Sequence, residues 1–234
     1  MTRPLARAAC ALMALAAPLA SQAQDAAASC GCNDRPPFTL FADAAPAASA
    51  IPSLVAQLRS PSDSARLFAA LQLGRVRDSA AVVPLTNALS DRACVVAAAA
   101  AWSLRGTTDA RAGEPLRKAM RSPSCLVRVR AADAITALTD SATIAASLVA
   151  LHDPDAHVRA SAARALGGSG DRRAVAPLIA TLRHGDKFER QAAAESLGKL
   201  GDPRALRALT PALRDPEKGV REAAVEAIGR LGGN

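Results

Sequence analysis

A fixed interval of 31 residues constrains this chain more than any other feature of its sequence. At that interval from residue 73, positions 104, 135, 166, 197 and 228 are all Leu or Ile. At the same interval from residue 78, positions 109, 140, 171 and 202 are all Asp. Arg occupies residues 66, 128, 159, 190 and 221, with Ala97 as the exception in that series. A fixed period of about 20–50 residues indicates a repeat array in which every unit packs on its neighbours. Six units therefore cover residues 51–233.

Each unit has the pattern of two helices. After Asp171, residues Val175, Leu178, Ile179 and Leu182 fall at helical spacing, and a polar turn leads to an Ala-rich second run at 190–197. Aspartate suits the N-cap of the first helix, because its carboxylate accepts hydrogen bonds from free backbone N–H groups. Neither helix can bury its apolar face alone, so successive pairs must stack. The sequence predicts an all-α fold, an α-solenoid of six 31-residue repeats that are antiparallel helix pairs.

Glycine and proline recur at fixed places within the units. Gly74, Gly167, Gly198 and Gly229 follow the second apolar run, where glycine commonly caps the C-terminus of a helix. Proline stands at residues 84, 115 and 177, inside the first helix of its unit. Because proline has no N–H to donate, we expect those first helices to be kinked there.

The composition fits a core built from small side chains. Half of the residues are hydrophobic but only 2% are aromatic, with no Tyr and one Trp. Ala-rich faces favour helix and let helices approach closely. The formal net charge of +8 is compatible with an acidic partner and equally with ordinary solubility. Nucleic acid is a disfavoured partner, because few aromatic side chains are present to stack on bases.

The N-terminal residues have the pattern of a cleaved export signal. Arg3 and Arg7 precede an apolar run at 8–20, and small residues at 21 and 23 suit a signal peptidase. We expect a signal peptide at 1–23, because the run is too short to span a bilayer. The mature chain would have no transmembrane segment and would reach the periplasm or the exterior. Residues 24–50 form an Ala- and Pro-rich arm. A lipid on Cys30 is disfavoured, because polar residues separate it from the apolar run.

The motifs of the units resemble those of a known repeat family. The consensus G-D-x-R-A-hydrophobic-x-P-L, then D-P-x-x-x-V-R-x-A-A-x-x-A-L-G, is similar to HEAT-like repeats of the phycobilisome-lyase type and covers residues 51–233. The resemblance implies an α-solenoid that binds other proteins. It also implies that the turn aspartates at 91, 153 and 215 bond second-helix arginines, here Arg159 and Arg221. A fold alone does not fix a function.

The histidines disfavour catalysis. Some proteins of this repeat type resemble deoxyhypusine hydroxylase, in which His-Glu pairs hold iron, and others resemble chromophore lyases. Here the histidines are His152, His157 and His184, and none is followed by Glu. A metal site can be drawn with Asp153 and Asp155, but polar turn residues cluster in every unit of a solenoid. The sequence predicts no catalytic, metal or cofactor-binding residue and a protein-binding scaffold or adaptor. An enzyme or enzyme accessory of those two kinds is the alternative.

One column of the repeats is basic and marks a candidate binding surface. It comprises Arg59, Ser90, Arg121, His152, Arg183 and Arg214, each directly after the last apolar residue of a first helix. Cations are favoured at helix C-termini by about 0.3–1 kcal/mol each, which is a sufficient local reason for the column. The other interpretation is a basic strip that binds an acidic protein, a lipid headgroup or an anionic polymer.

A second candidate surface is apolar. Leu71 and Trp102 stand where the four later units carry charged residues. A Trp on an otherwise polar face is a natural binding anchor. Alternatively, Phe38, Leu40 and Phe41 of the arm fold back over both side chains and cap the open end of the array.

The cysteines indicate disulfide bonds in an exported chain. Once the signal is removed, Cys30, Cys32, Cys94 and Cys125 remain, an even number suited to an oxidising compartment. Cys94 and Cys125 are equivalent in neighbouring units, which suggests a bridge, but stacked layers are commonly further apart than the roughly 7 Å that a disulfide allows. The other two pairings tie Cys30 and Cys32 to Cys94 and Cys125. All three pairings stay open.

Overall fold

Paired α-helices build the described part of the chain. The computed structural model describes residues 45–232, so the expected signal peptide and the arm up to residue 44 lie outside it. The first helices of the pairs are α1 (Ile51–Gln57), α3 (Val82–Ala88), α5 (Gly113–Ala119), α7 (Ser141–Ala150), α9 (Val175–His184) and α11 (Leu206–Ala212). The second helices are α2 (Asp63–Val76), α4 (Cys94–Ser103), α6 (Cys125–Ala134), α8 (Ala156–Gly168), α10 (Lys187–Leu200) and α12 (Lys218–Gly232). The predicted all-α solenoid is confirmed. We number its units one to six, one helix pair each.

Aspartates start the first helices, as the sequence predicts. A short 3-10 turn precedes α3, α5, α9 and α11, and one aspartate caps each turn by accepting a hydrogen bond from the N–H two residues later. These caps are Asp78, Asp109, Asp171 and Asp202. Asp140 caps α7 directly and accepts from two N–H groups. Each carboxylate satisfies donors that have no partner within the helix.

The prolines at 84, 115 and 177 hold the third position of α3, α5 and α9. The missing N–H groups therefore belong to the first turn of each α-helix, where few intrahelical bonds are lost. The change from a 3-10 turn to an α-helix also precedes α11, which has Ala208 at the equivalent position, so proline is not its cause and the expected kink stays a prediction.

Alanine lets the second helices stack closely. The alanines at 98–101, 162–163 and 192–194 are fully buried. In each of the first five units one apolar residue of the second apolar run is at most 2% exposed: Leu73, Leu104, Ile135, Leu166 and Leu197. Ile228, the equivalent residue of unit six, is partly buried. Burying a side chain of this size stabilises a fold by about 1.5–3 kcal/mol. In the described part of the chain, no helix combines the length and apolar character needed to cross a bilayer.

The recurring glycines are not helix caps, and three of them, Gly74, Gly167 and Gly198, are packing positions, whereas a Cβ on Gly229 would have nothing within 4 Å. All four lie inside second helices, in α2, α8, α10 and α12. A Cβ on Gly74 would lie 2.4 Å from the Cβ of Ser103, and a Cβ on Gly198 would lie 2.7 Å from the Cα of Ala227, each in the next second helix. A side chain there would push the stacked helices apart. The expectation of a cap is wrong: α10, for example, ends at Gly201, whose φ is 66°.

Ion pairs join successive units. In each pair the guanidinium comes from a second helix and the carboxylate from the turn of the following unit. The pairs are Arg66–Asp91, Arg128–Asp153 and Arg190–Asp215, with Nε–Oδ2 distances of 2.7, 2.8 and 2.7 Å. A second guanidinium nitrogen donates to the other carboxylate oxygen in every case. The side chains are at most 19% exposed, so removal of one partner would leave a buried charge unpaired.

The implied bonds from Arg159 and Arg221 to the turn aspartate of their own unit are present, but they use the backbone oxygen of the aspartate and not its carboxylate. Arg221 Nη1 donates to the backbone oxygen of Asp215, 2.7 Å away, and not to its carboxylate. Arg159 Nη1 likewise donates to the backbone of its own turn. Its Nη2 donates to Glu189 Oε1 of the next unit at 2.6 Å, so Glu189 takes the place of a turn aspartate. Arg221 therefore acts within its own unit, whereas Arg159 acts both within its unit and between units.

We call each of these ion pairs between units a rung, and the series of rungs the ladder. The interface between units two and three has no rung. Ala97 in α4 stands where the other second helices carry arginine, and Ser122 stands in the following turn where Asp91 and Asp153 stand in theirs. Because the arginine and the aspartate are both replaced at this interface, neither unit two nor unit three buries an unpaired charge there.

Candidate functional site

The basic column lies along one edge of the solenoid, where the first helices end. Arg59, Arg121 and Arg214 follow α1, α5 and α11, and Arg183 is in the last turn of α9. All four are exposed, as are the serine and the histidine of the same column. Among residues 45–232, their guanidinium groups form no ion pair. These four residues, which we call the arginine edge, therefore carry uncompensated positive charge.

Arginines on the opposite edge, where the first helices begin, are neutralised by aspartates. The pairs are Asp109–Arg111, Asp171–Arg173 and Asp202–Arg204, with closest N–O distances of 2.6, 2.7 and 2.7 Å. Hydrogen bonds from the arginine lower the pKa of Asp109 and of Asp202 to about 2, so both carboxylates stay charged at neutral pH. These three arginines thus differ from the four of the arginine edge, which are exposed without a carboxylate partner among the described residues.

Two guanidinium groups lie over the ring of Trp102. The Cζ atom of Arg105 is 4.0 Å from the centroid of the Trp102 ring, and that of Arg130 is 5.2 Å away. Both distances are within the range of a cation–π interaction. The Trp102 side chain is half-buried and Leu71 is 8% exposed, so Leu71 is part of a wall rather than of an open patch. The arm residues expected to cover this pair lie outside the described residues.

A cleft of about 820 Å³ opens beside Trp102, between units one and two. Its apolar wall comprises Leu71, Leu73, Val82, Leu85, Trp102 and Leu104, and its polar rim includes Arg75, Arg77, Asp78, Arg105 and Asp109. The volume falls in the range of about 300–1,000 Å³ that is common for ligand sites. We call this site the Trp102 cleft.

Cys94 and Cys125 occupy equivalent places. They are the first residues of α4 and α6, in adjacent units, and both are half-buried. Cys30 and Cys32 lie outside the described residues. The pairing of the four cysteines stays a prediction.

The polar turn residues near the histidines have structural partners. Asp155 accepts a hydrogen bond from the backbone N–H of His157 at 2.9 Å and caps α8. Asp186 caps α10 in the same way, and Asp153 accepts from Arg128. Within residues 45–232, no group of three or more His, Cys, Asp or Glu side chains is placed to hold a metal ion.

A family model described as HEAT repeats matches the chain over residues 51–136, 113–197 and 175–234. These matches together span all six helix pairs. The chain belongs to the HEAT-repeat family. Comparison of this HEAT-repeat chain with curated proteins gives no match.

Several solved structures share the fold of this HEAT-repeat chain. An engineered protein matches with a TM-score of 0.62 and 20% identity, over 78% of this chain and 96% of that one. A designed armadillo repeat protein in complex with the peptide (KR)4 matches with a TM-score of 0.60 and 20% identity, over 77% and 99%. The complex of CpcE and CpcF of phycocyanin lyase from Nostoc sp. PCC7120 matches with a TM-score of 0.52 and 23% identity, over 79% and 82%. These likenesses establish the solenoid fold and nothing about the ligand.

The Trp102 cleft and its arginines Arg77 and Arg105 are the part of the HEAT-repeat surface that sequence reasoning missed. A signal for them was present in the glycine column. Where units one, four, five and six have glycine, unit two has Arg105 and unit three has Thr136. The second helices of these two units are the shortest, ten residues each.

Proposed function

We propose that this HEAT-repeat chain is a non-catalytic scaffold or adaptor that is exported to the cell envelope and binds an acidic surface of another protein. The arginine edge carries the proposal. Four exposed guanidinium groups follow one edge of the solenoid with no described carboxylate to neutralise them. On the opposite edge, Arg111, Arg173 and Arg204 are held by aspartates of their own turns.

The partial negative charge at the helix C-termini favours these arginines locally. It does not explain why they have no carboxylate partner among the described residues. Regularly spaced positive charges attract an acidic partner and raise its association rate, with a strength that falls as salt screens them. A solenoid suits this use, because its units place equivalent side chains along an extended surface.

The proposal of export rests on the sequence pattern at 1–23. The proposal that the four remaining cysteines form two disulfides depends on export, because disulfides form in an oxidising compartment. Cys94 and Cys125 both begin second helices on the same side of adjacent units, which supports a structural role for them. N-terminal sequencing of the protein purified from its own cell would test the cleavage site, and peptide mapping without reductant would test the pairing.

The test of the function is recovery of partners from envelope extract by the immobilised mature chain. The charge-reversal variant Arg121→Glu, Arg183→Glu is compared with wild type at about 50 and 300 mM salt, where the Debye length falls from roughly 14 to 6 Å. Arg207→Glu is the control for a charge reversal elsewhere on the surface, because Arg207 is exposed on α11 but lies outside the arginine edge.

The expected result is a protein recovered by wild type and by the Arg207 variant, reduced by higher salt and lost with the double variant. Equal recovery by all three chains would contradict the proposal. The alternative function, an enzyme or enzyme accessory of the hydroxylase or lyase kind, predicts stoichiometric iron with oxygen-dependent turnover, or chromophore transfer. Observation of either activity would replace the scaffold proposal.

A further inference from the structure

The Trp102 cleft exists because α4 is short. α2, in unit one, has 14 residues and contains Gly74, which allows the next helix to approach. Unit two has Arg105 at the equivalent position, and by the symmetry of the repeats its Cβ would meet α6 as the Cβ on Gly74 would meet α4. α4 therefore ends at Ser103, and the chain turns away through Gly106, whose φ is 80°. The last helical turn is missing, and its place is open.

Some of the charged side chains at the rim of the Trp102 cleft are neutralised by ion pairs and others are not. Asp78 accepts a hydrogen bond from the backbone N–H of Ala80, and Asp109 is bound by Arg111. Neither aspartate pairs with Arg77 or Arg105. Within residues 45–232, Arg77 forms no ion pair, and Arg105 contacts the face of Trp102 only. Both arginines are exposed, so the mouth of an apolar cleft presents two guanidinium groups that are available to a carboxylate.

This combination selects a particular kind of ligand. The half-buried ring of Trp102, with Leu71 beside it, can take up an aliphatic or aromatic side chain, because burial of that side chain removes apolar surface from water. Guanidinium groups bind carboxylates through paired hydrogen bonds. The geometry points to a docking site for a peptide segment of a partner protein that carries an apolar side chain flanked by Asp or Glu. The inference rests on the proposed protein-binding function but assigns it a second, separate surface.

Trp102 reports directly on occupancy, since it is the one Trp of the chain. The mature chain is titrated with the blocked hexapeptide EDLFED, and tryptophan emission and calorimetric heat are both recorded. The amide analogue QNLFQN tests the need for carboxylates, and KKLFKK tests the sign of the charge. Calorimetry is needed because replacement of Arg105, which stacks on the ring, changes the emission by itself.

Two double variants carry equal changes of charge. The cleft variant is Arg77→Asn, Arg105→Ser, with Asn chosen because it tolerates the left-handed φ of 54° at residue 77. The edge variant is Arg121→Ser, Arg183→Ser. Far-UV circular dichroism and urea midpoints establish that both fold as wild type does.

We expect EDLFED to bind wild type and the edge variant with equal affinity, and to bind the cleft variant at least about tenfold more weakly, which corresponds to about 1.4 kcal/mol. QNLFQN and KKLFKK should bind at least as weakly. Equal affinity of EDLFED and QNLFQN, equal loss in both variants, or no binding at about 1 mM would overturn the inference. So would a shift in Trp102 emission caused by Phe41→Ser without peptide, because it would assign the cleft to the chain's own arm.

These outcomes are separable from the test of the arginine edge. Partner recovery that depends on Arg121 and Arg183 while EDLFED fails to bind leaves the proposed function standing without the cleft. Binding of EDLFED with no dependence of partner recovery on the edge would retain the cleft and remove the edge.

Discussion

Replacement of a single glycine tests how closely the second helices pack. In α10, a Cβ on Gly198 would lie 2.7 Å from the Cα and 2.8 Å from the Cβ of Ala227. Ordinary contacts begin at 3.4 Å, so α10 and α12 must separate by about 0.7 Å to admit the methyl group. Overpacking of this kind destabilises by about 1–3 kcal/mol. Alanine also gains about 1 kcal/mol over glycine in helix propensity, which partly offsets the clash.

Gly229 is the matched control, because it holds the equivalent position in α12 and a Cβ there has nothing within 4 Å. Gly198→Ala and Gly229→Ala share the gain in helix propensity, so the difference between them isolates the clash. We expect Gly229→Ala to be stabilised by about 1 kcal/mol and Gly198→Ala to lie about 1–3 kcal/mol below it.

Urea unfolding followed by circular dichroism at 222 nm measures both values, provided that the slope of free energy against urea is unchanged. Equal stabilisation of the two variants would refute the close approach of α10 and α12. A destabilised Gly229→Ala would contradict the structure in another way, because it would mean that a Cβ at residue 229 does meet a neighbouring group.

The ion-pair rungs give two further predictions. Asp153→Asn leaves Arg128 buried without its counter-charge, and urea unfolding should show a loss of about 3 kcal/mol, whereas Arg121→Ser on the surface should change stability by less than about 0.5 kcal/mol. Hydrogen bonding from Arg190 lowers the pKa of Asp215, so its stabilisation is complete above the unfolded-state value of about 3.9 and is lost as the pH falls through the lower folded-state value. Asp215→Asn should therefore flatten the decline of the unfolding free energy below about pH 4, and an unchanged decline would contradict this assignment.

The period of the sequence was enough to predict the helices and the aspartate caps at the start of the first helices, but not the glycine positions. It identifies which positions are equivalent, and the apolar spacing within one unit then defines both helices. Aspartates such as Asp140 and Asp171 cap through backbone groups only two or three residues away, so local sequence contains all the information. Exposure of Arg121 and Arg183 follows in the same way, because each comes directly after the last apolar residue of its helix.

Contacts between units were not predictable in this way. Periodicity does not say whether Asp153 meets the arginine of its own unit or of the one before, since both are equivalent in the pattern. The answer depends on the offset between stacked helices. The same offset places Gly198 against Ala227, and it brings Arg130 of one unit over Trp102 of another. The repeat pattern did not predict the Trp102 cleft, because the cleft lies where α4 is four residues shorter than α2.

The gap in the ladder at Ala97 and Ser122 limits how far the ladder itself can carry a local event along the molecule. The rung Arg66–Asp91 ties unit one to unit two, and the next rung begins only in unit three. Polar coupling in a linear array passes from neighbour to neighbour. A peptide that seats in the Trp102 cleft would therefore reach unit three through Arg130, whose guanidinium carbon lies 5.2 Å from the centroid of the Trp102 ring, and through the hydrogen bond from Arg111 to Ser79. Any coupling between the cleft and the arginine edge depends on these contacts and on helix packing, and not on the ladder.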